Sequence, residues 1–242
     1  MTFSEEVKMR NEVKEAVDSV ALSRSSIRAF IDKPVPENEI LEILRVASRA
    51  PSGTNIQPWR AYVLRGTPRD ELVDKVCRAH DAVFENPSCA SEYEEEYDYY
   101  SEKWFEPYLA RRRQNGYELY GLLGIAKGDK VAMHAQHQRN FRFFDAPVGI
   151  MFTLNRNLGR GAILDYGMFL QNFMLAAKSR GIDTCPQAAW NRFGKIILTH
   201  VGAGPDEMLL CGMALGYADA SAPENRLVTP REEPTNFTSF LG

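Results

Sequence analysis

The feature that most limits the folds open to this chain is the segment from Ile163 to Arg180, which is apolar on nearly every side. Ile163, Tyr166, Leu170, Phe173, Met174 and Ala177 leave it no face suited to water. A helix here must be buried, either at the centre of a domain or in a subunit interface. Lys178 and Arg180 suit its last turn, and Gly181 stops it. The continuous apolar run Pro147–Leu154 predicts a strand buried on both faces, and Glu207–Tyr217 predicts another. Trp59–Arg65 alternates around Tyr62 and Val63 and reads as the first strand, ended by Gly66. Thr67 and Pro68 then look like the N-cap and first residue of a helix that buries Leu72, Val73, Val76 and Cys77. Further helices are expected over residues 5–22, with Val7, Val13 and Val17 among charges, and over Phe193–Val201. At 242 residues the chain is long enough for one well-filled core, and residues 1–242 read as one domain.

Several function classes fall away on composition. A formal charge of −3 argues against a nucleic-acid or anionic-membrane surface. No apolar run approaches the length of a transmembrane helix. The N-terminal residues are charged throughout, unlike a signal peptide, so the expected location is the cytoplasm. Cys77, Cys89, Cys185 and Cys211 form no C-x-x-C pair, and neither a zinc site nor a disulfide framework is suggested. His134 and His137 share a helical face, but no cysteine or carboxylate cluster accompanies them, and no metal centre is expected. There is no G-x-S-x-G elbow and no P-loop. Gly202-Ala-Gly204 precedes a strand and lacks the third glycine of a dinucleotide fingerprint. A nicotinamide cofactor would therefore visit as a substrate.

Chemistry concentrates in residues 23–59. Ser23, Arg24, Ser25, Ser26 and Arg28 gather hydroxyls and guanidinium groups suited to an anion such as phosphate. An amphipathic helix follows, with Ile40, Ile43, Leu44 and Ala47 on its buried face. It runs out at Pro51 into Ser52-Gly-Thr-Asn-Ile-Gln-Pro-Trp59, whose amides suit the edge of a planar heterocycle. The two ends describe a site for a phosphorylated heteroaromatic cofactor.

Arg24-Ser-Ser-Ile-Arg28 together with Ala50-Pro-Ser-Gly-Thr-Asn-Ile-Gln-Pro-Trp59 resembles the paired signatures of the FMN-dependent nitroreductase family. Gly181-Ile-Asp-Thr-Cys-Pro-Gln187 resembles the family's loop against the flavin. Met213–Tyr217 resembles its last core strand, and Asn225–Arg231 its C-terminal phosphate clamp. The resemblance implies an α+β fold, a mixed sheet covered by helices, in an intertwined homodimer with FMN at the interface and residues 218–242 lying as an arm on the partner. It implies that Arg24, Ser25 and Ser26 hold phosphate or ribityl groups, with Arg231 clamping phosphate from the C-terminal side. Arg28 would be the cation that stabilises charge near flavin N1. Pro51, Ser52, Gly53, Asn55 and Gln57 would meet the ring from the neighbouring subunit, while Pro186, Gln187 and Ala188 would lie at its N5 edge through backbone groups. Thr229 departs from the pattern, standing where many members carry a second basic residue.

With no strong nucleophile or acid–base pair in view, the chemistry is expected to belong to the cofactor, and Cys185 to be a packing residue. The implied activity is hydride transfer from NADH or NADPH to a nitroaromatic or similar electron-poor ring, in ping-pong order. Residues 85–142, which hold most of the tyrosines, read as one or two amphipathic surface helices forming a lid. The lid tyrosines and Arg111-Arg-Arg113 point to aromatic, carboxylated acceptors. The same flavin motifs admit a reductive dehalogenase using Glu94, Tyr97 and Lys103, a flavin-cleaving enzyme, or a non-catalytic FMN-binding protein.

Overall fold

The computed structural model describes residues 3–242, with side chains from residue 5 onward. Five strands form one sheet: β1 (Phe30–Ile31), β2 (Arg60–Leu64), β3 (Val148–Asn155), β4 (Asp183–Gln187) and β5 (Glu207–Ala218). The order is β1-β5-β3-β2, and β4 pairs with β5 off this path, at Gly212–Gly216. Every ladder is antiparallel. The parallel component of the expected mixed sheet is a single bridge between Ser26 and Thr184. Around the sheet stand α1 (Phe3–Ser23), α2 (Glu37–Ala47), α3 (Thr67–Glu85), α4 (Tyr108–Leu122), α5 (Lys130–Gln138), α6 (Arg160–Lys178) and α7 (Gly194–His200), giving the α+β architecture. No helix among the described residues is long and apolar enough to cross a membrane.

The central strands are apolar on both sides because both faces of the sheet are covered. Ile150, Phe152 and Leu154 of β3, with Met213 and Leu215 of β5, join α2 and α6 in one core. Met151, Leu209 and Ala214 face the other way, with α3, α7 and the aromatic segment 139–145. Period-two alternation sorts them, except that an irregularity in the β3–β5 ladder between Phe152 and Thr153 puts Leu209 on the same side as Ala214. Gly149 and Gly212 are required by this packing. A Cβ at 149 would enter the ring of Phe143, and one at 212 the ring of Trp190.

The sequence expectation for residues 163–180 is met by α6, which begins earlier, at Arg160, and ends at Lys178. Tyr166, Phe169 and Phe173 are fully or almost fully buried around Phe152. Burial of each such ring contributes about 1.5–3 kcal/mol. Leu164, by contrast, is exposed, as are Val13 and Val17 of α1. α3 is capped by Gly66 rather than Thr67, which is already helical. Two elements were not anticipated. β4 occupies the stretch read as a loop, and β1 is too short to show a period. Residues 85–142 hold α4, α5 and a 3-10 turn at Pro87–Glu92.

α6 also fixes the entrance to β2. The Tyr166 hydroxyl donates to the Arg60 carbonyl at 2.7 Å and accepts from the Arg60 N–H at 3.1 Å. Trp59 stacks on Phe169 at 4.9 Å. We predict that Tyr166→Phe leaves the Arg60 groups without this partner and destabilises the fold by about 1–3 kcal/mol. Urea unfolding checks this, and a change within about 0.3 kcal/mol would show that water replaces the hydroxyl freely.

Candidate active site

After α1 the chain turns extended and runs beside β4. The Ile27 N–H donates to the Thr184 carbonyl at 3.1 Å. Extended geometry sends Ile27 into the core and Ser26 and Arg28 to the opposite face. Asn225 locks this stretch. Its Oδ1 accepts from the Arg28 N–H at 2.7 Å, and its Nδ2 donates to the carbonyls of Ala29 and Asp219 at 2.8 and 2.9 Å. Next to it, buried Glu224 pairs with Arg139.

The outcome is a cavity of about 560 Å³ walled by Arg24, Ser25, Ser26, Arg28, Asn225 and Arg231, with no carboxylate among its described lining residues. Arg231 is held by its own turn, donating from Nη1 to the Thr229 carbonyl and hydroxyl and to the Pro230 carbonyl. Thr229 thus supplies a hydroxyl that orients the arginine. Arg28 also donates from Nη1 to the Ser26 carbonyl at 3.2 Å.

Arg28 is shared with a second cavity, of about 760 Å³, which meets Pro186, Gln187 and Ala188. These three residues also wall a third cavity, of about 780 Å³, with Tyr97, Tyr99, Ile163 and Gly167. The Gln187 side chain is buried and fully engaged. Its Nε2 donates to the Asn140 carbonyl at 2.7 Å, and its Oε1 accepts from Trp190 Nε1 at 3.3 Å. Asn191 is a positioning residue that the sequence did not reveal. It accepts from the Glu96 N–H and donates to the Tyr97 carbonyl, pinning that loop beside Ala188. Tyr97 donates to the Leu210 carbonyl at 2.7 Å, and burial pushes its phenol ionisation well above the ordinary value. Burial raises the Cys185 thiol to about 11, against the pull of Arg28 and Arg24, so this cysteine is protonated packing.

The loop containing Pro51, Ser52, Gly53, Asn55 and Gln57 lies apart from the arginine cavity. The Gly53 N–H donates to Asp165 of α6 at 3.0 Å, and the Gln57 N–H to Ser52 Oγ at 3.0 Å. Thr54, Asn55 and Gln57 hold left-handed φ values of 50°, 61° and 49°, strained for residues other than glycine. Their side chains are exposed. Pro51 reaches a shallower cavity of about 580 Å³, shared with Ile163 and Gly167. Arg111–Arg113 also lie elsewhere than expected. Arg111 pairs with Glu232 at 2.8 Å, Arg112 stacks over Trp104, and none of the three lines a cavity at Pro186–Ala188.

The histidines need a correction as well. His134 and His137 do have a carboxylate neighbour, because α3 brings Asp81 and His80 against α5. His134 Nε2 lies 2.7 Å from Asp81, His137 Nδ1 lies 3.1 Å from His80 Nε2, and Gln138 also donates to Asp81. His80, Asp81 and His134 bring ligand-type atoms within 4.8 Å of one another. The His80 and His134 rings, however, stack at 4.2 Å with 3° between their planes, so their in-plane lone pairs run parallel and do not converge on a point. Burial lowers His80 from 6.5 to about 4, helped by His137 and His134, with Asp81 opposing and Arg192 adding slightly. The unfolded chain therefore takes up the His80 proton first as pH falls. We predict that stability drops between pH 6.5 and about 4 through this group and levels off below. In paired urea titrations His80→Gln should lose less stability than the wild type between pH 7.5 and 5.5; equal losses would contradict this.

The Nitroreductase family pattern matches residues 21–217. A chloronitrobenzene nitroreductase from Comamonas testosteroni is 38% identical over 225 residues, covering 93% of this chain and 96% of that protein. A 4-nitrobenzoate reductase from Pseudomonas putida is 39% identical over 225 residues, covering 93% and 95%. The crystal structure of the FMN and NADPH-dependent nitroreductase NfnB from Sphigopyxis sp. strain HMH aligns with a TM-score of 0.87 at 35% identity, covering 93% of this chain and 99% of that one. Matched along nearly its whole length to such proteins, the chain belongs to the nitroreductase family.

Proposed function

We propose that this chain is an FMN-dependent oxidoreductase that takes hydride from NAD(P)H and delivers it to nitroaromatic or similar electron-poor rings. The observation that carries the reading is the cavity, free of carboxylates among its described lining residues, in which Arg24, Arg28 and Arg231 converge with Ser25 and Ser26. That donor set fits a phosphate monoester. Arg28 links that cavity to the one of about 760 Å³, whose Pro186–Ala188 wall borders the further cavity of about 780 Å³, in the usual size range for flat cofactors and ligands. When bound, FMN supplies hydride acceptance and donation, and the relatives' nicotinamide and nitroaromatic chemistry is shared by one pocket in alternation.

Each protein residue then has a physical task. Arg24, Ser25, Ser26 and Arg231 hold the phosphate and ribityl end. Arg28 contributes a permanent positive charge, favouring the state in which negative charge has accumulated beside it. Pro186, Gln187 and Ala188 present backbone, because the Gln187 side chain is engaged in the core. Pro51, Ser52, Gly53, Asn55 and Gln57 complete the site from a second copy in a homodimer. Exposure of Leu22, Leu164, Val228, Phe240 and Leu241 supports such a partner, onto which residues 218–242 would extend. Residues 85–142 act as the lid, through Tyr97 and Tyr99. A cytoplasmic site of action, the expectation from the charged N-terminal residues, fits a dependence on NAD(P)H.

The dehalogenase alternative is disfavoured. The Tyr97 hydroxyl is committed to the Leu210 carbonyl, and neither Glu94 nor Lys103 lines the cavities at Pro186–Ala188. Anaerobic stopped-flow absorbance tests the main reading: NADH or NADPH should bleach the flavin band, and a nitroaromatic should restore it. Absence of bleaching by either nicotinamide would refute it.

A further inference from the structure

The cavity of about 760 Å³ between α3, α5 and the 3-10 segment Ala188–Phe193 has a charge balance that the flavin roles leave unused. Its lining includes Arg192 and Lys130 in addition to Arg28, and Glu95 is the single carboxylate among the described lining residues. The half-buried Arg192 guanidinium makes no hydrogen bond or ion pair with any described residue. Burial lowers the ionisation of its neighbours His80 and His137, with Arg192 adding to the effect, and neither brings a negative charge to offset the guanidinium. A positive group in a concave wall concentrates anions, and a planar guanidinium takes an oxyanion in paired hydrogen bonds. Phe84, Tyr99 and Phe141 line the same cavity and offer flat apolar faces. Through Pro186–Ala188 this space adjoins the cavity assigned above to the reacting rings.

Resting on the flavoenzyme reading, we propose that Arg192, assisted by Lys130 on α5, is an oxyanion subsite that receives the charged group of a planar aromatic ligand. The shared chemistry is an oxyanion carried by a flat ring, and it has two sources: the carboxylate of an aromatic acceptor or a phosphate of the nicotinamide donor. Arg192 thereby takes the place that the sequence suggested for Arg111–Arg113, which are engaged elsewhere.

The test uses FMN-loaded wild type, Arg192→Ala, Arg192→Lys and Lys130→Ala. Single-turnover reoxidation compares 4-nitrobenzoate with nitrobenzene. Single-turnover reduction compares NADPH and NADH with 1-benzyl-1,4-dihydronicotinamide, a hydride donor without phosphate. Loss of one charge-assisted contact corresponds to roughly tenfold or more in half-saturation. Arg192→Ala should therefore weaken either 4-nitrobenzoate relative to nitrobenzene, or the phosphate-bearing donors relative to the benzyl analogue, by about that factor. Arg192→Lys should recover part of the loss, as a purely structural arginine would not. The first pattern identifies the carboxylate and the second the phosphate. Equal changes for charged and uncharged ligands overturn the proposal, as does loss of FMN from Arg192→Ala, which would assign Arg192 to the cofactor. If the wild type shows no flavin reduction at all, the flavoenzyme reading fails instead. Calorimetric titration with 4-nitrobenzoate still decides the subsite then, and equal binding by wild type and Arg192→Ala refutes it.

Discussion

The arrangement of the site depends on one side-chain amide standing in for a strand. Asn225 accepts from the Arg28 N–H and donates to the Ala29 carbonyl, satisfying backbone groups at the point where the N-terminal segment passes β4. Its third bond, to the Asp219 carbonyl, ties the same amide to the end of β5. A backbone N–H left unpaired at this depth would cost about 1–3 kcal/mol. Residues nearly two hundred positions apart in sequence are thus obliged to meet. Arg28 inherits its position from that meeting, and so does the cavity that it shares with Arg24 and Arg231.

The loop at 52–57 and the entry to β2 depend on α6. Asp165 and Tyr166, adjacent on that helix, hold Gly53 and Arg60 respectively, so one buried element sets both the strained loop at 52–57 and the start of β2. The loop's left-handed residues present Asn55 and Gln57 outward on the protomer. Under the homodimer reading this outward display is the use of the strain: a side held rigid by α6 in one copy meets the arginine cavity of the other. The buried Gln187–Trp190 and Asn191–Tyr97 contacts give the Pro186–Ala188 wall comparable rigidity. Neutral hydroxyls and backbone there suit a reaction in which the protein supplies position and field.

How much of this was legible in the sequence follows from the range of the forces involved. β3, β5 and α6 were visible because burial on both sides leaves long apolar runs, with boundaries shifted by a few residues. β4 was hidden by Pro186, which signals a turn. It is tolerated because β4 has a full ladder only with β5, and only one bridge, at Thr184, on its other side. The two arginines and the serines of residues 24–28 were legible as an anion motif, and the structure does bring them together with Arg231. Asn191 reads as an ordinary polar turn residue until the fold places Glu96 and Tyr97 on either side of its amide. The His80–Asp81–His134–His137 stack was equally hidden, since it exists only where α3 and α5 pack. Arg111–Arg113 misled because a charge run carries no information about which way its helix faces.

In the function proposed for this chain, Arg28 governs the electronics of the flavin, whereas Arg24 and Arg231 govern its retention. The most direct measurement is the two-electron reduction potential of bound FMN in Arg28→Ala, titrated against reference dyes, with dialysis to measure retention. Losing an interaction of about 1.5–3 kcal/mol with the charged state lowers the potential by roughly 30–65 mV while FMN stays bound. An unchanged potential accompanied by loss of FMN would contradict the account and make Arg28 a phosphate ligand.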